Sequence, residues 1–421
     1  MIGTFFQQLY NTADAVIVGQ FLGKEALAAT GGATGVLINL VVMFFVNLSS
    51  GASVVLSQFY GARRPREVSD TVHTAMAMAL AGGFVMMIIG IASAPAILRL
   101  LNSPPDIFPL AVTYIRYYFG GMIAVLVYNI GSAILRAVGD SRKPLYFLIV
   151  SCFVNIILDL LLVAVIPLGI AGAAVATVIA QIISAILVVR CLMKTQESYQ
   201  LHLRSIRFHP GLLKRIVLIG LPAGLQGSMF SVSNLIIQST MNGFGTDLIA
   251  AWTAFLRIDA IFWMGSNAFG VAVMTFSGQN FGAGKFDRIK KCCRISLGMY
   301  TVFAAAISAF MLLAGRYCLM MFTSDTGVLN YGMLLIQTIS PFYITYIFVE
   351  IYSNAIRGTG QTFIPMLLTC FGICVFRILW IFLYIPSHRT VPDLIISYPI
   401  SWIFTSALFI VYYYKGNWLK H

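Results

Sequence analysis

Residues 1–22, MIGTFFQQLYNTADAVIVGQFL, place Asp14 inside an otherwise apolar run. Gln7, Tyr10, Asn11 and Asp14 follow one another at the helical spacing i, i+3, i+4 and i+7, so they form a polar stripe on one face of a helix. A charged side chain at the centre of a bilayer costs at least about 2.5 kcal/mol, so it usually faces a protein cavity, an ion or a proton path. The stretch therefore predicts a membrane helix whose polar stripe lines a wet cavity.

The composition places this helix in a membrane protein. Of the 421 residues, 59% are hydrophobic and only 10% are charged, whereas about 25% are charged in an ordinary soluble domain. Apolar runs of about 20 residues, the length that spans a bilayer as a helix, recur along the chain. Lipid offers no partner for free backbone groups, and the runs are too long for barrel strands. We expect an all-α membrane protein with twelve transmembrane helices.

The net charge of +13 reports membrane orientation and not a nucleic-acid partner, because Lys and Arg cluster in alternate loops. The basic clusters lie at Arg63–Arg66, Arg136–Lys143, Arg190–Arg215, Lys285–Arg294, Arg357 and Lys415–Lys420. By the positive-inside rule these loops face the cytoplasm, and so do both termini.

The chain also contains an internal repeat. Gln58 of SQFYGA returns as Gln279 of GQNFGA, an offset of 221, and Arg136 with Pro144 returns as Arg357 with Pro365 at the same offset. Duplication is common among transporters. The repeat predicts two six-helix lobes related by a pseudo-two-fold axis along the membrane normal: an N-terminal lobe at 1–193, a cytoplasmic linker at 194–214 and a C-terminal lobe at 215–421. Pro222 corresponds to position 1, which predicts that the first helix is N-terminally truncated.

Helix 5 carries a second polar pair. Asn155 and Asp159 are spaced i, i+4 and project from one helix face. Asp14 can join them only if helices 1 and 5 pack within one lobe. Two carboxyl groups in a dry pocket cannot both stay ionised cheaply, so one could take up and release a proton near neutral pH. The same oxygens suit sodium, a hard cation. The residues do not choose between the two ions.

The second half carries charges of its own at membrane depth. Glu350 corresponds to Asn129 at the offset of 221, and Arg377 lies beside the counterpart of Asn155. We expect a structural ion pair between Glu350 and Arg377, because a lone buried charge is costly. The alternative is a role in substrate or proton binding. Asp259 and Arg257 we expect at a solvated or locally paired helix end.

These motifs together resemble the multidrug and toxic compound extrusion (MATE) family in its bacterial branch. The resemblance lies in QQLYNTADAVIVGQFLG, the loop pairs SQFYGARR with GQNFGAGK and RAVGDSRKP with RGTGQTFIP, NIILD in helix 5 and GIAGAAVAT in helix 6. It implies a secondary active antiporter of the bacterial plasma (inner) membrane that expels small cationic amphipathic compounds in exchange for protons or sodium. Its coupling-ion residues would be Asp14, Asn129, Asn155, Asp159 and Thr177, with sodium, if used, at Asp14, Asn155 and Asp159.

The remaining expectations follow from the same residues. We expect the substrate cavity to include Gln7, Tyr10, Asn11, Glu350 and Arg377. We expect a monomer with no cofactor beyond the coupling ion, no nucleic-acid partner, seven free thiols and no other metal site.

Two other function classes are weaker. A lipid-linked oligosaccharide flippase of the same superfamily is the nearest alternative, but it needs a strongly cationic cavity, and few positive residues lie at membrane depth: Arg116, Arg257 and Arg377. A membrane-embedded enzyme would need His, Asp or Ser at catalytic spacing, which the sequence does not show. GQNFGAGK lacks the spacing of a phosphate-binding loop, so ATP is not the expected energy source.

Overall fold

The computed structural model describes residues 2–31, 33–100, 103–388 and 390–419, and among these the side chains of all but residues 2–5, 7–11, 33, 36 and 39. Over these residues the chain is almost entirely helical and contains no strand, which confirms the prediction of an all-α membrane protein. The described residues divide into two compact units, at 1–224 and 225–421. All seven cysteines lie in this part of the chain and are free thiols.

Helices α1 to α6 and the first part of α7 form the first unit. They are α1 (Ile2–Gly31), α2 (Ala33–Gly61), α3 (Pro65–Leu100), α4 (Phe108–Gly120 followed by Met122–Ala137), α5 (Arg142–Val165), α6 (Gly169–Lys194) and α7 (Pro210–Asn242).

The second unit contains the rest of α7 and five further helices. They are α8 (Thr246–Gly282), α9 (Phe286–Met320), α10 (Thr326–Gly358), α11 (Phe363–Tyr384) and α12 (Val391–Lys415). Within the described residues, ten helices are long and apolar enough to cross a bilayer, and the bent helix α4 makes an eleventh.

Three kinds of break interrupt the helices of the first unit. At Gly23 the backbone of α1 leaves helical geometry with φ at +84°, a conformation that glycine adopts without steric cost. Helix α4 bends by 48° between Phe108–Gly120 and Met122–Ala137. Helix α5 widens into a π-helical turn at Leu160–Val165, and such turns occur frequently at functional sites. The second unit has π-helical turns of its own in α11, at Cys370–Val375 and Trp380–Tyr384, so this kind of break belongs to the repeated frame.

The segment between α6 and α7 packs on the first unit instead of extending freely. The backbone N–H of His202 donates to Nε2 of His73 on α3 at 3.0 Å, and Nδ1 of His209 lies 3.0 Å from Oγ1 of Thr74. The first part of α7 then approaches α2 closely, because Gly51 and Gly220 leave no side chain between the two backbones. These contacts explain why the first unit extends beyond α6 to residue 224.

Candidate functional site

Asp14 lies on the part of α1 that packs against α5. Its side chain is half-buried, and its Oδ1 atom is buried without a hydrogen-bond partner among the described residues. A buried polar atom without a partner costs about 1–3 kcal/mol, so such atoms usually indicate a role beyond packing. Asp14 thus lies at a protein interface within the first unit and not in lipid.

Asn155 and Asp159 lie one turn apart on α5, and both are 0% exposed. The π-helical turn of α5 begins directly after Asp159. Both carboxylate oxygens of Asp159 and both polar atoms of the Asn155 amide lack a hydrogen-bond partner among the described residues. The sequence placed these residues on one face, and the structure buries that face completely.

The structure brings Asp14, Asn155 and Asp159 together. The two carboxyl groups are close enough to interact electrostatically, and the Asn155 amide lies beside Asp159. No Lys, Arg or His in the described part of the chain forms an ion pair with either acid. Two adjacent buried carboxyl groups without a counter-charge require a proton or a small cation between them, since both cannot ionise alone. We call these three residues the α1–α5 cluster.

The other residues predicted for the coupling ion use their hydrogen bonds locally. Nδ2 of Asn129 donates to the Val125 carbonyl oxygen at 2.8 Å, and Oγ1 of Thr177 donates to that of Ala173 at 3.1 Å. Their place in an ion site therefore stays a prediction. The side chains of three residues predicted for the substrate cavity, Gln7, Tyr10 and Asn11, lie outside the described residues.

Glu350 on α10 belongs to a separate polar cluster in the second unit. Its Oε1 atom accepts a hydrogen bond from Nδ2 of Asn354 at 2.9 Å, and Tyr346 and Ser266 also face the carboxylate. Gly270 on α8 makes room for this group, because a Cβ atom there would collide with Oε1. The Glu350 carboxylate therefore accepts a hydrogen bond from a neighbouring amide, whereas Oδ1 of Asp14 and both carboxylate oxygens of Asp159 accept none from the described residues.

The predicted ion pair between Glu350 and Arg377 is wrong. Among the described residues no ion pair joins them, and the arginine that acts on Glu350 electrostatically is Arg357. Arg377 is 1% exposed and stacks on Tyr398, with its guanidinium carbon 4.0 Å from the ring centroid. Its Nε donates to Oγ of Ser401 at 2.9 Å. The aromatic face takes the place of the missing carboxylate, a cation–π contact that strengthens when it is desolvated.

Asp259 was expected at a solvated or locally paired helix end, but it is buried in the middle of α8, with one local partner and one distant partner. It is 5% exposed, accepts a hydrogen bond from Nε1 of Trp263 at 2.7 Å and accepts another from the Tyr343 hydroxyl. Trp263, four residues after Asp259, was visible in the sequence as a partner on the same helix face. Tyr343 was not, because 84 residues separate it from Asp259.

Comparisons with known proteins support the same fold. Probable multidrug resistance protein YoeA of Bacillus subtilis (strain 168) is 26% identical over 431 aligned residues, which cover 100% of this chain and 92% of that protein. Probable multidrug resistance protein YpnP of the same organism is 26% identical over 419 residues, covering 99% of this chain and 93% of that protein.

A solved structure of similar fold aligns with this chain over its full length. The outward-facing conformation of a multidrug resistance MATE family transporter of the MOP superfamily superimposes with a TM-score of 0.90 at 22% identity, covering 100% of this chain and 94% of that one. The family model described as MatE matches residues 1–161 and 222–383, two stretches whose starts differ by the repeat offset of 221. Because these matches cover more than half of the sequence, the chain belongs to the MatE family, as the resemblance predicted.

Proposed function

We propose that this multi-pass membrane transporter is a secondary active multidrug exporter. It would expel small cationic amphipathic compounds in exchange for protons or sodium by alternating access, acting as a monomer and not as an enzyme. The relatives named as multidrug resistance proteins support the substrate class. The clusters of Lys and Arg in alternate loops support a location in the bacterial inner membrane with both termini in the cytoplasm.

The α1–α5 cluster is the observation that carries the proposal. It offers the buried Oδ1 atom of Asp14, both carboxylate oxygens of Asp159 and both polar atoms of the Asn155 amide, none of which has a hydrogen-bond partner within the described residues. A transporter that exchanges a cation needs such a site, because the cation must enter, neutralise the acids and leave again. A purely structural acid would instead be satisfied by donors, as Glu350 is by Asn354.

The site also suggests how binding is coupled to movement. Asp14 comes from α1, and Asn155 and Asp159 come from α5, so a bound cation links two helices. Without the cation the acids repel each other and favour separation of the helices, whereas with it they favour contact. Helix α1 carries its own hinge at Gly23, where the backbone is not helical. Occupancy of the cluster would therefore bias the position of the first part of α1.

The test is ethidium efflux from vesicles that contain the full-length protein under an imposed pH or sodium gradient. Asp14→Asn and Asp159→Asn should each reduce gradient-driven efflux at least about tenfold, because a neutral amide cannot release a bound cation in exchange. Asp106→Asn is the matched control, since it makes the same substitution at an exposed loop position. Unchanged efflux in both cluster variants would contradict the proposal.

The two gradients also identify the coupling ion. If protons are exchanged, a pH gradient alone drives efflux and the lumen of the vesicle changes pH as ethidium moves. If sodium is exchanged, a sodium gradient drives efflux at constant pH. Efflux that responds to ATP but to neither gradient would contradict secondary transport altogether.

A further inference from the structure

An apolar groove of about 630 Å³ lies between α4 and α6 in the first unit, apart from the α1–α5 cluster. On one side it is lined by the bend of α4, at Gly120 and Gly121, and by the turns that follow. On the other side it follows the second half of α6 from Ile182 to Lys194. Nothing in the proposed exchange mechanism uses this groove.

Small residues set the shape of the groove: they allow the two helices to touch at one end and leave space between them further along. Gly121 allows α4 to lie against α6, because a Cβ there would be 2.8 Å from a methyl group of Val178. On the C-terminal side of this contact, Ala124 of α4 and Ala185 of α6 line the groove. The 48° bend of α4 at Gly121 then turns the second half of the helix away from the line of the first half.

The second unit has different residues at the positions that correspond to the groove. At the offset of 221, Ala124 corresponds to Thr345 and Ala185 corresponds to Ser406. The Ser406 hydroxyl donates a hydrogen bond to the Thr345 carbonyl oxygen, so the two helices are joined there. Gly121 corresponds to the bulky Phe342. The two units therefore differ at this level, because small side chains line the groove in the first unit and a hydrogen bond joins the corresponding helices in the second.

The length and polarity of the groove match one lipid chain. The α6 wall from Ile182 to Lys194 rises by about 18 Å, at the rise per residue of an α-helix. One leaflet of a bilayer contributes about 15 Å of hydrocarbon, half of the core thickness. Along this wall the large apolar side chains are open to the surroundings, with Ile186 58% exposed and Ile182 42% exposed.

The cytoplasmic end of the groove is positively charged. Arg190 and Lys194 line it one turn apart on α6, both exposed, and neither forms an ion pair with any described residue. The nearby acid Asp140 is already paired with Lys143 at 2.9 Å. In the second unit the residue that corresponds to Arg190 is Val411. The residue that corresponds to Lys194 is Lys415, so the second unit keeps one of the two cations and only the first unit has the pair.

We propose that the groove binds an anionic phospholipid of the cytoplasmic leaflet, with one acyl chain between α4 and α6 and the phosphate held by Arg190 and Lys194. Basic sites between membrane helices on the cytoplasmic side bind anionic lipid headgroups. A cationic substrate would be repelled by the same two residues. A lipid wedged at the bend of α4 stabilises the bent form of the helix, so the lipid composition of the membrane tunes the first unit.

Native mass spectrometry of the full-length protein tests this, with phosphatidylglycerol and phosphatidylethanolamine of identical acyl chains as probes. We expect phosphatidylglycerol to remain bound preferentially, and the double variant Arg190→Gln, Lys194→Gln to weaken its binding about tenfold or more. Arg288→Gln, Lys291→Gln is the matched control, because it removes two exposed cations from a predicted cytoplasmic position outside the groove. Equal retention of both lipids by the wild type, or an equal loss in both double variants, would overturn the proposal.

A second pair of variants separates the groove from its charges. Ile186→Trp fills the groove and should displace phosphatidylglycerol although both cations remain. Val302→Trp places the same side chain at a 70% exposed position on α9 and should leave binding unchanged. Full binding by Ile186→Trp would overturn the proposal, because the lipid would then need only the surface charges. A change in oligomeric state with Ile186→Trp would overturn it too, since the face would then contact a second copy of the chain.

Discussion

The two units use one repeated frame, yet corresponding positions hold opposite chemistry. In the first unit these positions carry Asp14, Asn155, Asp159 and Thr177; in the second unit, at the offset of 221, they carry Leu235, Phe376, Trp380 and Tyr398. In the first set, Asp14, Asn155 and Asp159 have buried polar atoms without partners among the described residues, whereas in the second set Phe376, Trp380 and Tyr398 carry aromatic rings that pack against other rings. The repeated arrangement of helices alone therefore does not create an ion site.

The acids of the second unit are hydrogen-bonded in place, and Arg377 is satisfied in part, because its Nη2 atom is buried without a hydrogen-bond partner among the described residues. Arg377 stacks on Tyr398 and donates to Ser401, Asp259 accepts from two aromatic residues, and Glu350 accepts from Asn354. A site that exchanges a cation must be less stable when it is empty than when the cation is bound. Polar groups that already have hydrogen-bond partners carry little desolvation cost when the site is empty. We therefore assign cation exchange to the first unit and a more rigid, structural role to these charges of the second.

The largest expected effect comes from copying Thr177 into the second unit. Tyr398→Thr removes the aromatic face beneath Arg377 and leaves a buried guanidinium beside a cavity. Truncation of a buried aromatic residue costs about 3–5 kcal/mol, so the free energy of unfolding should fall by that amount. Thermal unfolding in detergent measures the change, with Tyr398→Phe as the control that keeps the ring. Equal stability of the Thr and Phe variants would show that the ring does not support Arg377.

A second prediction separates stability from transport in the first unit. Asn155→Leu keeps the approximate volume of the side chain but removes two buried polar atoms that have no hydrogen-bond partner among the described residues. Removing them should raise the free energy of unfolding by about 1–3 kcal/mol, because their desolvation penalty disappears. Gradient-driven efflux should nevertheless fall at least about tenfold, since the cation loses a ligand. Phe376→Leu, at the repeated position, should leave coupling intact; a matching loss of coupling there would remove the distinction between the units.

Gly270→Ala probes how tightly Glu350 is held. The added Cβ would lie 2.6 Å from Nδ2 of Asn354 and would collide with the Glu350 carboxylate. Overpacking of this kind costs about 1–3 kcal/mol. Gly298→Ala on α9 is the control, because no atom lies within 4 Å of its added Cβ. In the double variant with Glu350→Ala the part of the cost that comes from the carboxylate should disappear while the contact with Asn354 remains, and strictly additive unfolding free energies would contradict the contact with Glu350.

Thr177→Val should have the smallest effect. The Thr177 hydroxyl donates to the Ala173 carbonyl oxygen within α6, a bond worth about 1 kcal/mol. We expect a similar loss in the free energy of unfolding and a decrease in efflux of about threefold at most. An effect as large as that of Asp159→Asn would mean that the hydroxyl turns toward the coupling ion during transport.

Much of this could be predicted from the sequence. Hydrophobic runs, alternating basic loops and the offset of 221 predicted the helices and their duplication. These features are visible in the sequence because a bilayer requires apolar helices of a set length and because Lys and Arg concentrate in cytoplasmic loops. The i, i+4 spacing of Asn155 and Asp159 predicted a shared face. That Asp14 lies beside them depended on the packing of α1 on α5, which only the fold supplies.

The errors lay in partners that are distant in sequence. Asp259 and Tyr343 are 84 residues apart, and Arg377 and Tyr398 are joined only by the packing of α11 and α12. The prediction paired Glu350 with Arg377 on charge alone, whereas an aromatic ring can satisfy a buried guanidinium as well. The π-helical turn after Asp159 and the groove at Gly121 had no recognised signal in the sequence, because both arise from helix geometry.

Equilibrium uptake of protons and of radioactive sodium by the purified full-length protein tests the central assignment most directly. We predict that the wild type binds about one cation per chain and that Glu350→Gln retains it. The double variant Asp14→Asn, Asp159→Asn should bind none. Full uptake by that double variant, or uptake lost in Glu350→Gln alone, would contradict the assignment of cation exchange to the first unit.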